Sequence, residues 1–450
     1  MKRVFGRITA AILISGLVGA CAPQSDSGQE AGTVRILAPT ANTKGSYSLG
    51  FLDLKGLKDL QTMAGEFARF FIAPKIVNKR LHGEAPHTRF IRNSDGNYIP
   101  ANELTQQMVT VYAHMQKLAE LDTELGAEGV NTWPRDIGVA VRVKGRNGAN
   151  NAYYDGETDS MLFVPYNQQN LPIAINAGIL AHEHFHSLFF KLVMKDLPFK
   201  GNAHNRKDFF EEVQEDDFMI RERRILPIIK GAKEIDPTIM HFYYHVALSR
   251  GLNEGLADFW GWMYTGDPDF IAQSLPSEKS LRSLHVDGDV NELPTSESIQ
   301  AALRIYFSAG DKEKFRDYSI GYSYSLGTQF SRVLKRFTDI YAKARGVEAL
   351  AARKEVAKII VQILPEVKKS LQNLEKSFYS SELFLQTLAA KMPDLKQAEC
   401  EYLKEVINNS VDNIGTSYSC IDGNGQIILG KAVNAEGPTN PEAKDEGLAK

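Results

Sequence analysis

The sequence predicts an α+β protein: an N-terminal part with a small mixed or antiparallel sheet packed on a helix that bears an H-E-x-x-H, a mostly helical C-terminal part, and an active-site cleft between them. Three observations carry this. Met108, Val111, Met115, Leu118 and Leu121 recur at intervals of three and four, which marks a helix over 103–125. The period then changes: residues 137–143 (IGVAVRV) alternate as a strand does, and 151–154 and 161–164 read as two further short strands. From residue 237 onward the pattern is almost wholly helical.

The chain opens on an address. Lys2, Arg3 and Arg7 precede an apolar run over 8–20 that is short for a membrane span, so 1–20 reads as a secretion signal. Its end, LVGAC at 17–21, resembles a bacterial lipobox. That resemblance implies cleavage before Cys21, lipid attachment to its sulfur and, with Ala22 following, anchorage in the outer membrane of a bacterial envelope. The alternative is an ordinary signal peptide with an incidental cysteine. Residues 21–32 then form a polar tether. With Cys21 lipidated, Cys400 and Cys420 remain in a compartment that permits disulfides, and they are a natural pair. The composition is that of an ordinary globular protein, 43% hydrophobic and 24% charged. A formal charge of -3 gives no basic face for nucleic acid, so none is expected as a partner.

An α/β subdomain is expected over 33–195. It begins with a strand-like run at 33–39; 52–77 carries apolar residues, among them Phe67, Phe70 and Phe71, at helical spacing, and 78–100 reads as loop. The turn at 155–159 (DGETD) places three carboxylates at alternating positions, as a calcium loop does, but such turns favour Asp and Gly for backbone reasons alone, and calcium is not inferred. Pro172 precedes a helix over 173–194. An insertion follows at 196–250, with an exposed helix at 211–224, and then a helical subdomain at 251–430. Its helices are expected at 349–367, 370–391 and 394–408. The tail, 431–450, has the composition of a disordered segment.

The chemistry concentrates at 179–188 (ILAHEHFHSL). Four residues apart on one helix, His182 and His186 reach a common metal ion, with Glu183 beside it to take a proton from water, which suits a zinc hydrolase. Two histidines need a third protein ligand. In 252–260 (LNEGLADFW), Glu254 and Asp258 are again four apart: one carboxylate can bind zinc while the other accepts a hydrogen bond from a zinc-bound histidine, for which His182 is the expected partner of Asp258. Glu211, Glu212, Asp216 and Asp217 are rival carboxylates, without that context. His184 is about 200° from His182 around the helix and is read as structural, as are His241 and His245, which have no Glu between them.

These two segments resemble the gluzincin metallopeptidases, and W-P at 133–134, the 137–141 strand and NAYYD at 151–155 bring the chain closer to their thermolysin-like and fungalysin-like branch. The resemblance implies a zinc endopeptidase with one Zn2+ per chain, acting on a peptide or protein held against a sheet edge by Asn151 and Ala152. It also implies, in YSYSLGTQFSRVL at 322–334, a residue three before Gly327 that donates to the oxyanion. That place is held by Tyr324 where the family has histidine, with Tyr322 and Tyr318 as alternatives. The chain departs from the family in the much longer stretch between His186 and Glu254. No G-x-M-E-N-like stretch favours an aminopeptidase of the same clan. A catalytically inactive binding lipoprotein of this fold is the other alternative, against which the intact Glu183 argues.

Overall fold

The computed structural model describes residues 32–41, 46–141, 149–197, 237–285, 290–308, 312–372, 379–392, 394–410, 417–423 and 426–431. The predicted signal, Cys21, the tether through residue 31, the helix at 211–224 with Glu211, Glu212, Asp216 and Asp217, and the tail from 432 lie outside the described residues, as does the side chain of Tyr318; Gly32, expected to end the tether, already belongs to the first strand.

The architecture is mixed α+β, with mixed sheets in the N-terminal part and helices in the C-terminal part. The strands are β1 (Gly32–Ala41), β2 (Tyr47–Asp59), β3 (Ala64–Gly65), β4 (Ala68–Val77), β5 (Arg80–Glu84), β6 (Phe90–Arg92), β7 (Tyr98–Pro100), β8 (Arg135–Val139), β9 (Ala152–Asp155) and β10 (Ser160–Phe163). They form two five-stranded sheets, ordered β3-β2-β1-β7-β6 and β5-β4-β8-β10-β9.

This corrects the sequence reading of 52–100. The segment 52–77 is strand, not helix, and 78–100 holds three further strands where a loop was expected. Phe67, Phe70 and Phe71 fit a helical spacing, but Ala68, Phe70 and Ile72 also fit a period of two, and a short apolar run does not separate the alternatives. Long-range pairing decides. β4 lies parallel to β8 with Phe70 opposite Ile137, and Ile137 is in turn opposite Met161 of β10. All three side chains are buried. A strand here fills a ladder that a helix would leave unpaired.

Helix α1 (Glu103–Glu124) starts where Asn102 caps the Thr105 amide, and its apolar stripe is buried. Helix α2 (Ala177–Leu192) carries the H-E-x-x-H. Asn176 caps it through the amides of Gly178 and Ile179, while its own side-chain amide donates to Phe270 O and Ser274 Oγ. Tyr47 Oη accepts from the Ala177 amide at 2.8 Å, so the first sheet also touches the start of this helix.

Helix α3 (Pro237–Thr265) runs unbroken across the expected boundary at 250/251. It packs on α2, with the rings of Phe185 and Trp260 4.9 Å apart. The short helices α4 (Phe270–Ser274) and α5 (Lys279–Arg282) follow, then α6 (Ser296–Ser308), α7 (Lys312–Arg345), α8 (Ala349–Gln372), α9 (Ser381–Lys391) and α10 (Gln397–Ser410). A hairpin of β11 (Tyr418–Gly423) and β12 (Gln426–Lys431), whose strands the sequence reading missed, is tied to α10 by a Cys400–Cys420 disulfide. None of the described helices is long and apolar enough to cross a membrane.

Where α3 crosses α7 the backbones touch. A Cβ on Gly255 would lie 2.3 Å from Gly327 O, and one on Gly327 would lie 2.7 Å from the Gly255 nitrogen. Only glycine allows that approach. It sets Glu254 against the turn of α7 that holds Tyr324.

Candidate metal centre

Two helices bring His182, His186 and Glu254 together, with one candidate ligand atom from each lying within 4.8 Å of the others. His182 and His186 share a face of α2, and their Nε2 atoms are 3.0 Å apart. Glu254 comes from α3, its Oε2 3.6 Å from His182 Nε2 and 3.9 Å from His186 Nε2.

The outer nitrogens decide what the inner ones are. His182 Nδ1 is 2.9 Å from Asp258 Oδ1, an ion-pair contact off the line of a good hydrogen bond; since a carboxylate only accepts, a neutral ring carries its proton on Nδ1. His186 Nδ1 is 2.9 Å from the side-chain oxygen of Asn253, again an acceptor. Both Nε2 atoms then present lone pairs to each other and to Glu254. Among the described residues Glu254 Oε2 is buried without a hydrogen-bond partner, and so is Glu183 Oε2. With both rings neutral, two lone pairs and the Glu254 carboxylate converge, and a positive charge among them relieves the repulsion; the chain itself offers Arg282, 3.5 Å from Glu254, and a proton on His182, whose pKa is raised. The donor set fits a divalent metal that takes imidazole and carboxylate.

A buried guanidinium completes the wall. Arg282 of α5 reaches Asp258 with Nη2 to Oδ1 at 2.5 Å and Nε to Oδ2 at 3.2 Å, and lies 3.5 Å from Glu254. Burial disfavours the charge on Asp258, but Arg282 and His182 outweigh it and hold the carboxyl below its usual value. On His182 burial likewise opposes the charged form, and the Asp258 hydrogen bond and charge reverse the balance and raise it.

The Arg282 guanidinium also lies over the Tyr324 ring, 4.5 Å from its centre. Tyr324 has its pKa raised, first by the charge of Glu254 and then by burial, so its phenol stays a donor. Ala152 begins β9, an edge strand, and Asn151 immediately precedes it. Asn151 is turned inward on its own segment: Oδ1 accepts from the Ala152 amide at 2.9 Å, and Nδ2 donates to Tyr153 Oη at 2.7 Å. Burial, with the charge of Glu183 adding to it, pushes the Tyr153 phenol up to about 12.

The remaining candidates are accounted for by their partners. His184 Nε2 is 2.8 Å from Asp122 Oδ1 on the far side of α2. His245 lies with Nδ1 2.8 Å from His241 O and accepts the Tyr379 amide at Nε2. In the 155–159 turn, Asp159 is neutralised by Arg135 at 2.5 Å and Lys191 at 2.7 Å, while Asp155 accepts from the Glu157 amide and Thr158 hydroxyl, so this turn does not present a calcium loop.

The sequence reading missed Asn253 and Arg282. Asn253 adjoins Glu254, and a polar residue one step before a ligand was a usable signal. Arg282 is far along the chain from Asp258, and no local pattern marks it. Against known proteins the chain matches no family model and no curated protein.

Proposed function

We propose that the protein is a zinc metallopeptidase of gluzincin type, an endopeptidase of a bacterial envelope that the Cys21 lipid would anchor, most simply at the outer membrane. The observation that carries this is the pair of Nε2 atoms 3.0 Å apart, each ring with an acceptor oxygen 2.9 Å from its Nδ1, facing a buried oxygen of Glu254. In this reading the second sheet packs on α2, and the active-site cleft lies between the α/β part and the helical part. His182, His186 and Glu254 hold one Zn2+ per chain.

Zinc bound there would supply Lewis acidity, to polarise the scissile carbonyl and make water a stronger acid. The rest falls to the chain. Glu183, adjacent to His182 and with an unpartnered buried oxygen, accepts a proton from the attacking water as the new C–O bond forms. It returns that proton to the amine nitrogen as the C–N bond breaks. Tyr324, kept protonated by Glu254 and burial, donates to the carbonyl oxygen as charge gathers on it. Arg282 and Asp258 keep the His182 ring in one tautomer. Edge strand β9, with Ala152 at its start and Asn151 just before it, offers the peptide a strand to pair with once Asn151 releases its internal bonds.

The test is metal content with turnover. Purified protein should carry one zinc per chain, and His182→Ala or Glu254→Ala should remove it. Glu183→Gln should keep zinc and lose peptide cleavage across a peptide library by at least about a hundredfold. A stably folded, metal-free wild type after zinc addition refutes the zinc assignment; identical digests from wild type and Glu183→Gln refute catalysis.

A further inference from the structure

Behind the metal helix lies a buried polar network that the proposed chemistry does not use. On α2, His184, Ser187 and Lys191 are three and four apart and form one stripe, roughly opposite the His182 and His186 face. Each is held from a different part of the N-terminal half. His184 Nε2 donates to Asp122 Oδ1 of α1 at 2.8 Å, and the second oxygen of that carboxylate accepts from Asn131 Nδ2 at 2.8 Å. Ser187 Oγ donates to Asn131 Oδ1 at 2.6 Å and accepts from Arg135 Nη2 of β8 at 3.0 Å. Lys191 reaches Asp159, in the turn between β9 and β10, which also holds Arg135. His184 and Ser187 are wholly buried, Arg135, Asp122 and Asn131 nearly so. Trp133 stacks on the His184 ring with centres 6.0 Å apart, and the Arg135 guanidinium lies over Trp133.

An apolar rear face would glue the helix to the sheet without fixing its rotation, because hydrophobic contact is not directional. Hydrogen bonds are directional, and three anchors spread over two turns set both the azimuth and the height of the helix. The metal face feels that setting. A ligand nitrogen on a histidine lies on the order of 7 Å from the helix axis, so a rotation of about 8° carries it about 1 Å. Ligand sets tolerate about half of that.

We propose that Asp122, Asn131, Arg135, His184 and Ser187 are positioning residues for the metal centre: by pinning the rear of α2 they hold the His182 and His186 nitrogens in register with Glu254. This rests on the zinc reading above, and the experiment keeps the two apart. Zinc affinity is measured by chelator competition on the full-length protein, and the visible spectrum is recorded after replacing zinc with Co2+, for wild type, Ser187→Ala, His184→Phe and His184→Gln. Ser187→Ala is close to isosteric and keeps the chain folded even if His184→Phe does not.

The expected result is a fall of about tenfold in zinc affinity for Ser187→Ala and His184→Phe, with a shifted cobalt spectrum. His184→Gln, which keeps a donor toward Asp122, should lie closer to wild type in both. The proposal is overturned if Ser187→Ala binds zinc as tightly as wild type with an unchanged cobalt spectrum, even where its melting temperature falls, since the network then serves stability alone. A wild type that binds no zinc at all overturns the zinc reading itself.

Discussion

Asn253 holds His186: its side-chain oxygen lies 2.9 Å from His186 Nδ1, so the residue just before Glu254 sets the ring that Glu254 faces. Asp258, further along the same helix, lies 2.9 Å from His182 Nδ1, so α3 reaches the outer nitrogens of both histidines. Asn253→Ala should leave the fold intact and lower zinc affinity by roughly tenfold, the usual cost of removing a group that orients a ligand. Chelator competition measures it. An affinity unchanged from wild type would mean that the Asn253 bond does no orienting.

Arg282 compensates a carboxylate that has almost no contact with water. The Asp258 side chain is 1% exposed and that of Arg282 10%. Removing Arg282 leaves the buried Asp258 carboxylate with His182 alone beside it, and breaking a buried pair costs up to about 3 to 5 kcal/mol. Arg282→Met should therefore lower the urea midpoint strongly, whereas Arg282→Met combined with Asp258→Asn should recover part of the loss. Equal midpoints for the single and double variants would show that the two groups are not coupled.

The crossing of α3 and α7 is as sensitive as the charges. At Gly255 a methyl group would meet the Gly327 carbonyl oxygen, which is backbone and cannot rotate away. Gly255→Ala should cost at least about 1 to 3 kcal/mol through overpacking. It should also separate Glu254 from the turn bearing Tyr324, so cleavage should fall further than stability does. Gly321→Ala, on α7, is the control: its Cβ would meet nothing within 4 Å.

What was legible in the sequence follows from range. His182, His186, Glu254 and Asp258 each lie one helical turn from a partner, so a spacing of four marks both pairs in the sequence, and the structure brings the four together. The α1 stripe was readable for the same reason. Strand β4 was not: 67–72 satisfies two periods at once, and the choice rests on Ile137, far along the chain. Arg282 and the Asp122–His184 pair are likewise contacts between segments that share no local pattern. Asn131 lies in a loop and reads as an ordinary loop residue until Ser187 and Asp122 are placed around it.

Acid should loosen the junction between the two halves through His114. This side chain of α1 is buried, and its Nδ1 lies 2.8 Å from the Tyr264 hydroxyl of α3. Burial, with a smaller contribution from Lys117, lowers its pKa from 6.5 to about 3. The folded state therefore refuses a proton that the unfolded state accepts. The sign follows: His114 costs nothing above pH 6.5, and between 6.5 and about 3 each unit of falling pH removes roughly 1.4 kcal/mol of stability. His245, lowered to about 4 by burial and then by His241, adds to the same slope over a narrower window. Stability from urea titrations at pH 7.5, 6.0 and 5.0 should fall accordingly, and His114→Gln, which keeps a hydrogen-bonding group toward Tyr264, should flatten the dependence by about one proton. A slope unchanged in His114→Gln would show that His114 titrates alike in both states.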